Sequence, residues 1–329
     1  MKKIRAVGIK GIGHYVPDRI LTNFDLEKMV DTTDEWITLR TGIKQRRIAE
    51  SNDATSDMAY KAAAIALQDA GVPPEKLDYI ILATASPDMF FPSTACIVQN
   101  KLGAKNAGAF DLAAGCSGFI YSLVVASQMI ATGTYENILV IGAETLSKFI
   151  DWTDRNTCVI FGDGAGAVLL GPVEEGKGLI ASALGSDGSG GDMLKLPAGG
   201  SRMPASAETV QNRLHYIKMD GREVFKNAVR YMSEAVEKAL VKCNMTTKDI
   251  SILIPHQANL RIIQSTAKRL KLREDQVYVN VETYGNTSSA SIVIALSELI
   301  QNKKIKENDI IAMTAFGAGY TWASAIIRW

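Results

Sequence analysis

One series of elements is written twice along this 329-residue chain, and that repetition restricts the fold more than any single motif does. In the first half, a helix with Thr55 or Ser56 as its expected N-cap closes at Gly71. It leads into VPPEKLDYIILATAS, a turn and then a buried strand. In the second half, the helix over 222–243 leads into MTTKDISILIPHQAN, again a turn and a strand. Each half continues with another helix, a strand ending at a tight glycine turn, and a strongly apolar helix. These read FDLAAGCSGFIYSLVVASQMI in one half and VNVETYGNTSSASIVIALSELI in the other. Each half then closes on a buried strand, ENILVIGAE or ENDIIAMTAFG. Alternating strand and helix periods predict an α/β protein with mostly buried sheets, in two halves over 1–172 and 173–329.

Matching the halves pairs Gly115-Cys116 with Gly285-Asn286, and the strand end at Ala83 with His256. Duplicated α/β halves bring equivalent strand ends to one central region, which would gather Cys116, His256 and Asn286. Between them, the helix over 222–243 carries Val224, Phe225, Ala228, Met232, Ala235, Ala239 and Cys243 on one face and is expected to be packed. The Gly-, Ser- and Pro-rich stretch 185–208 reads as a surface loop or flap. The glycines of GDGAG at 162–166 superficially suit a phosphate loop. They lack the Lys-Ser/Thr pair and precede a strand-like run, so a bend between strands is expected and nucleotide binding is not.

Composition narrows the function. Thirty-six basic residues against 35 acidic ones leave a net charge of +1, which provides no global field for nucleic acid or an anionic membrane. No run approaches a membrane span, and the basic start MKKIRAVGIKGIG is interrupted before signal-peptide length. The four cysteines are widely spaced in segments that read as buried, so a reduced, cytoplasmic protein is expected. With three scattered histidines, no metal site is expected.

Cys116 stands apart from the other cysteines. At a helix N-terminus it faces unpaired N–H groups and the positive end of the helix dipole, which favour thiolate and could hold an oxyanion. Cys96, Cys158 and Cys243 are expected to be buried packing residues. A histidine at a strand end and an asparagine in a turn are ordinary separately, and their joint placement beside Cys116 makes them catalytic candidates. Papain-type proteases share the order Cys, His, Asn, yet the chain lacks their C-G-S-C-W-like segment and they do not explain a duplicated architecture.

The motifs DLAAGCSGF, DRNTCVIFGDGAGAVLL, PHQANLRII, YGNTSSAS and FGAGYTWASAIIRW, with DEWITLRTGIKQRRIA near the start, resemble β-ketoacyl-acyl carrier protein synthase III. The likeness runs in the family's order over nearly the whole chain. It implies the five-layer αβαβα thiolase-like fold, a homodimer, and decarboxylative Claisen condensation of an acyl-CoA primer with malonyl-acyl carrier protein. Acetyl-CoA is the expected primer. Another primer, a specialised-metabolite substrate or a non-catalytic carrier-binding role stands as the alternative.

By this resemblance Cys116, His256 and Asn286 are the catalytic residues, and the backbone N–H groups of Cys116 and Ala318 form the oxyanion hole. Many relatives have glycine at the latter position. Acyl-CoA is a substrate and no resident cofactor is implied. Its binding residues would be Trp36, Arg40, Arg155, Phe225 and Asn259. Carrier protein would dock on Arg261, with Lys226, Lys268 and Arg269 as further candidates and Arg222 and Arg230 completing a second basic row. Phe91 would reach the acyl pocket of the partner subunit, within an exposed Phe90-Phe91-Pro92 cluster.

Overall fold

The computed structural model describes residues 4–329, so part of the basic start lies outside the described residues. The first sheet holds β1 (Val7–Tyr15), β2 (Tyr79–Ala83), β3 (Gly108–Leu112), β4 (Ile138–Glu144) and β5 (Gly164–Pro172), in the order β1-β5-β4-β2-β3. The second holds β6 (Gly178–Ser186), β7 (Ile252–Pro255), β8 (Ile310–Gly317) and β9 (Thr321–Arg328), ordered β6-β9-β8-β7. In each sheet the first three neighbours run antiparallel and the next pair is parallel. The second sheet lacks a counterpart of β3. The run VNVETY, expected as a strand ending at the glycine turn, instead forms the short helix Val281–Tyr284, and ahead of it Val277 makes a single bridge to Leu253.

A short helix, α1 (Asp34–Thr41), lies in the connection between β1 and α2 (Thr55–Ala70). Helices α2 and α3 (Thr94–Leu102) cover the outside of the first sheet, while α4 (Gly118–Ala131) lies between the sheets. In the second half, α5 (Gly221–Lys242) with α6 (Leu260–Arg269) covers the outside, and α7 (Ser291–Gln301) joins α4 in the middle. The result is five layers: helices, sheet, helices, sheet, helices. The central layer is apolar on every side because both sheets press on it. Phe119, Ile120 and Leu123 of α4 pack with Ile292, Val293 and Leu296 of α7 and with Met313 and Ala325 of the second sheet. Each such side chain contributes about 1.5–3 kcal/mol on burial.

The outer helix α2 packs more closely still. Its face is Ala59, Ala62, Ala63 and Ala66, and a Cβ on Gly11 or Gly13 of β1 would come within 2.4 or 2.5 Å of the helix carbonyls of Ala66 or Ala62. Small residues on both sides let backbone meet backbone. The N-cap of this helix is Ala54, not Thr55 or Ser56. Thr55 lies in the first turn because its hydroxyl donates to Ser86 O at 2.6 Å, while Asp57 caps the Ala54 N–H at 2.8 Å.

Three further expectations change. Cys96 is exposed, since the buried stripe of α3 is Thr94, Ala95 and Val98 and the cysteine falls outside it; Cys243 is half-buried at the end of α5, and Cys158 is buried. The pairing of the halves also shifts. Gly115 (φ +52°) opens the 3₁₀ turn leading into α4, and Ser288 (φ +48°) opens the turn leading into α7. Cys116 is therefore matched by Ser289, and Asn286 stands three residues before the equivalent position. The stretch 185–208 contributes the two-residue strand Leu194–Lys195, which pairs with Lys218–Met219 and carries Leu194 into the centre of the molecule.

Candidate active site

Cys116 sits where two backbone segments touch. A Cβ on Gly115 would lie 2.9 Å from Ala318 N, and one on Gly317 would lie 2.5 Å from Cys116 N. Only glycine lets the end of β8 approach the cysteine turn this closely, and Gly115 also supplies the positive φ. The cysteine is half-buried. Burial, the largest influence, pushes its thiol up to about 12, and the Ser288 hydroxyl opposes it. Dehydration thus outweighs the helix N-terminus, and Cys116 rests as a thiol, not as the expected thiolate.

His256 follows β7 and is anchored by its own N–H to Thr314 O at 2.7 Å. Its ring is buried, and that burial lowers its pKa to about 3, so it is neutral. Nδ1 lies 2.7 Å from Ser291 Oγ, which also accepts the Gln257 N–H at 3.3 Å. With the Ser291 hydroxyl donating to Nδ1, the ring proton sits on Nε2.

Asn286 is held by backbone on both sides. Its N–H donates to Ile160 O at 2.9 Å, and Gly162 N–H donates to its carbonyl at 3.0 Å. Gly162, read in the sequence as part of a bend, is the clamp, since a Cβ there would lie 2.4 Å from Tyr284 O. Oδ1 of Asn286 accepts the Ser288 N–H at 2.8 Å, which leaves the Nδ2 hydrogens as its free donors.

Two cavities meet at the thiol. One, of about 120 Å³, is lined by Cys116, His256, Asn286, Phe225, Asn259 and Met219 among others. The second, of about 110 Å³, reaches Cys116 from the other side between Leu146, Phe149, Leu196, Ile217 and Ala318. Leu194 and Phe161 border both. A nucleophile with a neutral donor pair in one apolar chamber and a second apolar chamber behind it is equipped to hold an acyl group and then a second thioester.

A family model for 3-oxoacyl-[acyl-carrier-protein] synthase III matches residues 110–188, and the model for that family's C-terminal part matches 240–329. A β-ketoacyl-[acyl-carrier-protein] synthase III of Caldanaerobacter subterraneus subsp. tengcongensis is 62% identical over 324 residues, 98% of each chain. The crystal structure of the 3-oxoacyl-[acyl-carrier-protein] synthase III from Aquifex aeolicus VF5 superimposes with a TM-score of 0.91 at 48% identity, covering 98% of this chain and 100% of that one. The chain belongs to the β-ketoacyl-[acyl-carrier-protein] synthase III family. It is a condensing enzyme with the thiolase-like fold of that family.

In this synthase III, Phe225 and Asn259 of the remaining predicted residues line the first cavity. The Trp36 ring is flanked by two guanidinium groups, Arg40 at 5.1 Å and Arg155 at 5.2 Å from its centre, and Arg155 also donates to Asp31 O at 2.8 Å. Asn259, which lines the cavity, donates to Arg40 O at 3.0 Å and so ties α1 to the start of α6. Phe225 lines the wall, and Arg261 lies over its ring at 5.8 Å. Lys226, Lys268, Arg269 and Arg222 are exposed. Arg269 and Arg230 share Glu234, at 3.4 and 3.0 Å, which withdraws part of the basic surface that their spacing predicts. Phe91 is 86% exposed beside Phe90 at 77%, and it lines neither cavity.

Sequence reasoning missed Ser291, Ser288 and Glu144, and the walls formed by Leu146, Phe149, Leu196 and Ile217. Ser291 and Ser288 stood inside a quoted motif, masked by reading Asn286 as the counterpart of Cys116. Glu144 had its own signal, a lone acid ending the buried strand ILVIGAE.

Proposed function

We propose that this enzyme initiates fatty acid synthesis by joining an acyl-CoA primer, with acetyl-CoA the simplest, to malonyl-acyl carrier protein. The convergence of both cavities on Cys116, with His256 and Asn286 in one of them, carries this reading. Cys116 sulfur attacks the primer thioester; its proton leaves with the CoA sulfur, and an acyl-cysteine remains. Malonyl thioester then fills the vacated chamber. Nε2–H of His256 and Nδ2–H of Asn286 donate to its carbonyl oxygen, and loss of carbon dioxide leaves an enolate with its charge on that oxygen. A neutral imidazole suits this role because it donates without itself titrating near neutral pH. The enolate carbon attacks the acyl-cysteine, the N–H groups of Cys116 and Ala318 meet the tetrahedral oxyanion, and the cysteine sulfur leaves and is reprotonated.

Trp36 between Arg40 and Arg155 would stack the CoA base and meet its phosphates, with Phe225 and Asn259 along the pantetheine arm. An acidic carrier protein would dock on Arg261 and Lys226, with Lys268 and Arg269 further along the same side. The exposed Met89-Phe90-Phe91 run supports a homodimer in which Phe91 reaches the partner's acyl pocket. Four free cysteines suit a reducing cytoplasm, and no helix among the described residues is long and apolar enough to cross a membrane.

Purified enzyme with malonyl-acyl carrier protein and acetyl-, isobutyryl- or hexanoyl-CoA should release carbon dioxide and form the matching 3-oxoacyl product. Carrier-dependent product from none of these primers would sink the reading.

A further inference from the structure

Glu144, the last residue of β4, is fully buried and makes no ion pair among the described residues. Its carboxyl oxygens meet the Ala85 N–H at 3.0 and 3.2 Å, and the hydroxyls of Thr84 at 3.2 Å, Ser86 at 2.6 Å and Ser289 at 2.9 Å. Two of the hydroxyls also accept elsewhere. Ser86 Oγ accepts the Thr145 N–H at 2.9 Å, and Thr84 Oγ1 accepts the Ser86 N–H at 3.0 Å, which leaves their protons free to donate to Oε2.

Ser289 differs, because its single proton faces two acceptors. Its Oγ is 2.9 Å from Glu144 Oε1 and 2.9 Å from the carbonyl oxygen of Ala83. A carbonyl oxygen only accepts, so an ionised Glu144 would leave one of these two short contacts without a hydrogen. A proton on Oε1 resolves the count: Glu144 donates to Ser289, and Ser289 donates to Ala83. Burial, the main influence on this group, pushes its pKa in the same direction.

We propose that Glu144 is a protonated carboxylic acid in the resting enzyme, a positioning residue that joins the strand ends of the first half to the Ser288–Ala290 turn without placing a negative charge beneath Cys116. The Ser288 hydroxyl lies against both Glu144 and Cys116, so an ionised Glu144 would oppose any negative charge developing on the sulfur. Cys116 is the titratable group facing Glu144 from the nucleophile turn. The end of β2 and the Ser288–Ala290 turn present hydroxyls and an N–H. On β5, which pairs with Glu144 at Gly164, the neighbouring Asp163 directs its carboxylate to Ala49 N–H and Ser147 instead.

The inference rests on Cys116 as the nucleophile for its consequence, whereas its test reads Glu144 itself. Infrared difference spectra of wild type against Glu144→Gln at neutral pH should show a protonated-carboxyl band present only in wild type. Ser289→Ala should move that band to higher frequency, because the proton on Oε1 loses its acceptor. A carboxylate pair of bands in the difference spectrum overturns the proposal. So does a Ser289→Ala spectrum unchanged in the carboxyl region, which remains readable if Glu144→Gln does not fold. None of these measurements needs acyl transfer, so failure of the proposed condensation leaves them interpretable.

Discussion

Truncating Asn286 to alanine separates the two half-reactions. The backbone bonds to Ile160 O and from Gly162 N–H survive the change, so the loop stays where it is. Two side-chain interactions are lost. The buried Ser288 N–H loses its acceptor at 2.8 Å, a loss of about 1–3 kcal/mol in stability. The enolate oxygen loses one of two donors, which raises the decarboxylation barrier by about 2.7–4 kcal/mol, a slowing of roughly 100- to 1,000-fold. Acylation of Cys116 uses neither interaction directly and should stay within roughly tenfold of wild type, the equivalent of about 1.4 kcal/mol. Carbon dioxide release from malonyl-acyl carrier protein and acyl adduct formation by rapid-quench mass spectrometry read the two steps separately. Equal loss in both, or decarboxylation at the wild-type rate, would refute the division of labour.

Burial of His256 makes stability pH-dependent. Its folded pKa of about 3 lies below the unfolded value near 6.5, so the unfolded chain binds the extra proton and stability falls as pH drops from 6.5 towards 3. His256→Gln should remove a slope of about 1.4 kcal/mol per pH unit from that window, measured by urea unfolding at several pH values. Arg261→Glu should raise KM for malonyl-acyl carrier protein while leaving acyl-CoA acylation alone, with the defect shrinking at high salt. Gly13→Val should destabilise the protein by about 1–3 kcal/mol or more through overpacking, seen as a lowered Tm, because its Cβ would meet Ala62 O at 2.5 Å.

The duplicated order of elements was legible because strand and helix periods differ in kind, and both sheets do share strand order and direction. Its register was not. Glycine before Cys116 and glycine before Asn286 look equivalent as letters, yet Ser288 takes the left-handed conformation that Gly115 takes. A serine with positive φ leaves no mark in a sequence. The catalytic candidates were legible because Cys116, His256 and Asn286 each end a strand or open a turn, where backbone direction alone brings them together. The raised thiol was not, since the helix N-terminus is visible in the sequence and the dehydration around it comes from residues far along the chain. Glu144 was hidden for the same reason: its partners Ala85, Ser86 and Ser289 belong to both halves. The basic residues of α6 are exposed, but Glu234, which pairs with both Arg269 and Arg230, sits on α5 and was not legible as their partner.

The most direct test of the account is the intact mass of the protein after incubation with a panel of acyl-CoAs, wild type beside Cys116→Ala. One acyl adduct on wild type, discharged by malonyl-acyl carrier protein and missing from Cys116→Ala, is the predicted result, and its mass identifies the primer. An adduct that persists in Cys116→Ala, or a folded wild type that takes no acyl group from any member of the panel, would contradict the assignment of Cys116 as the acyl-bearing nucleophile.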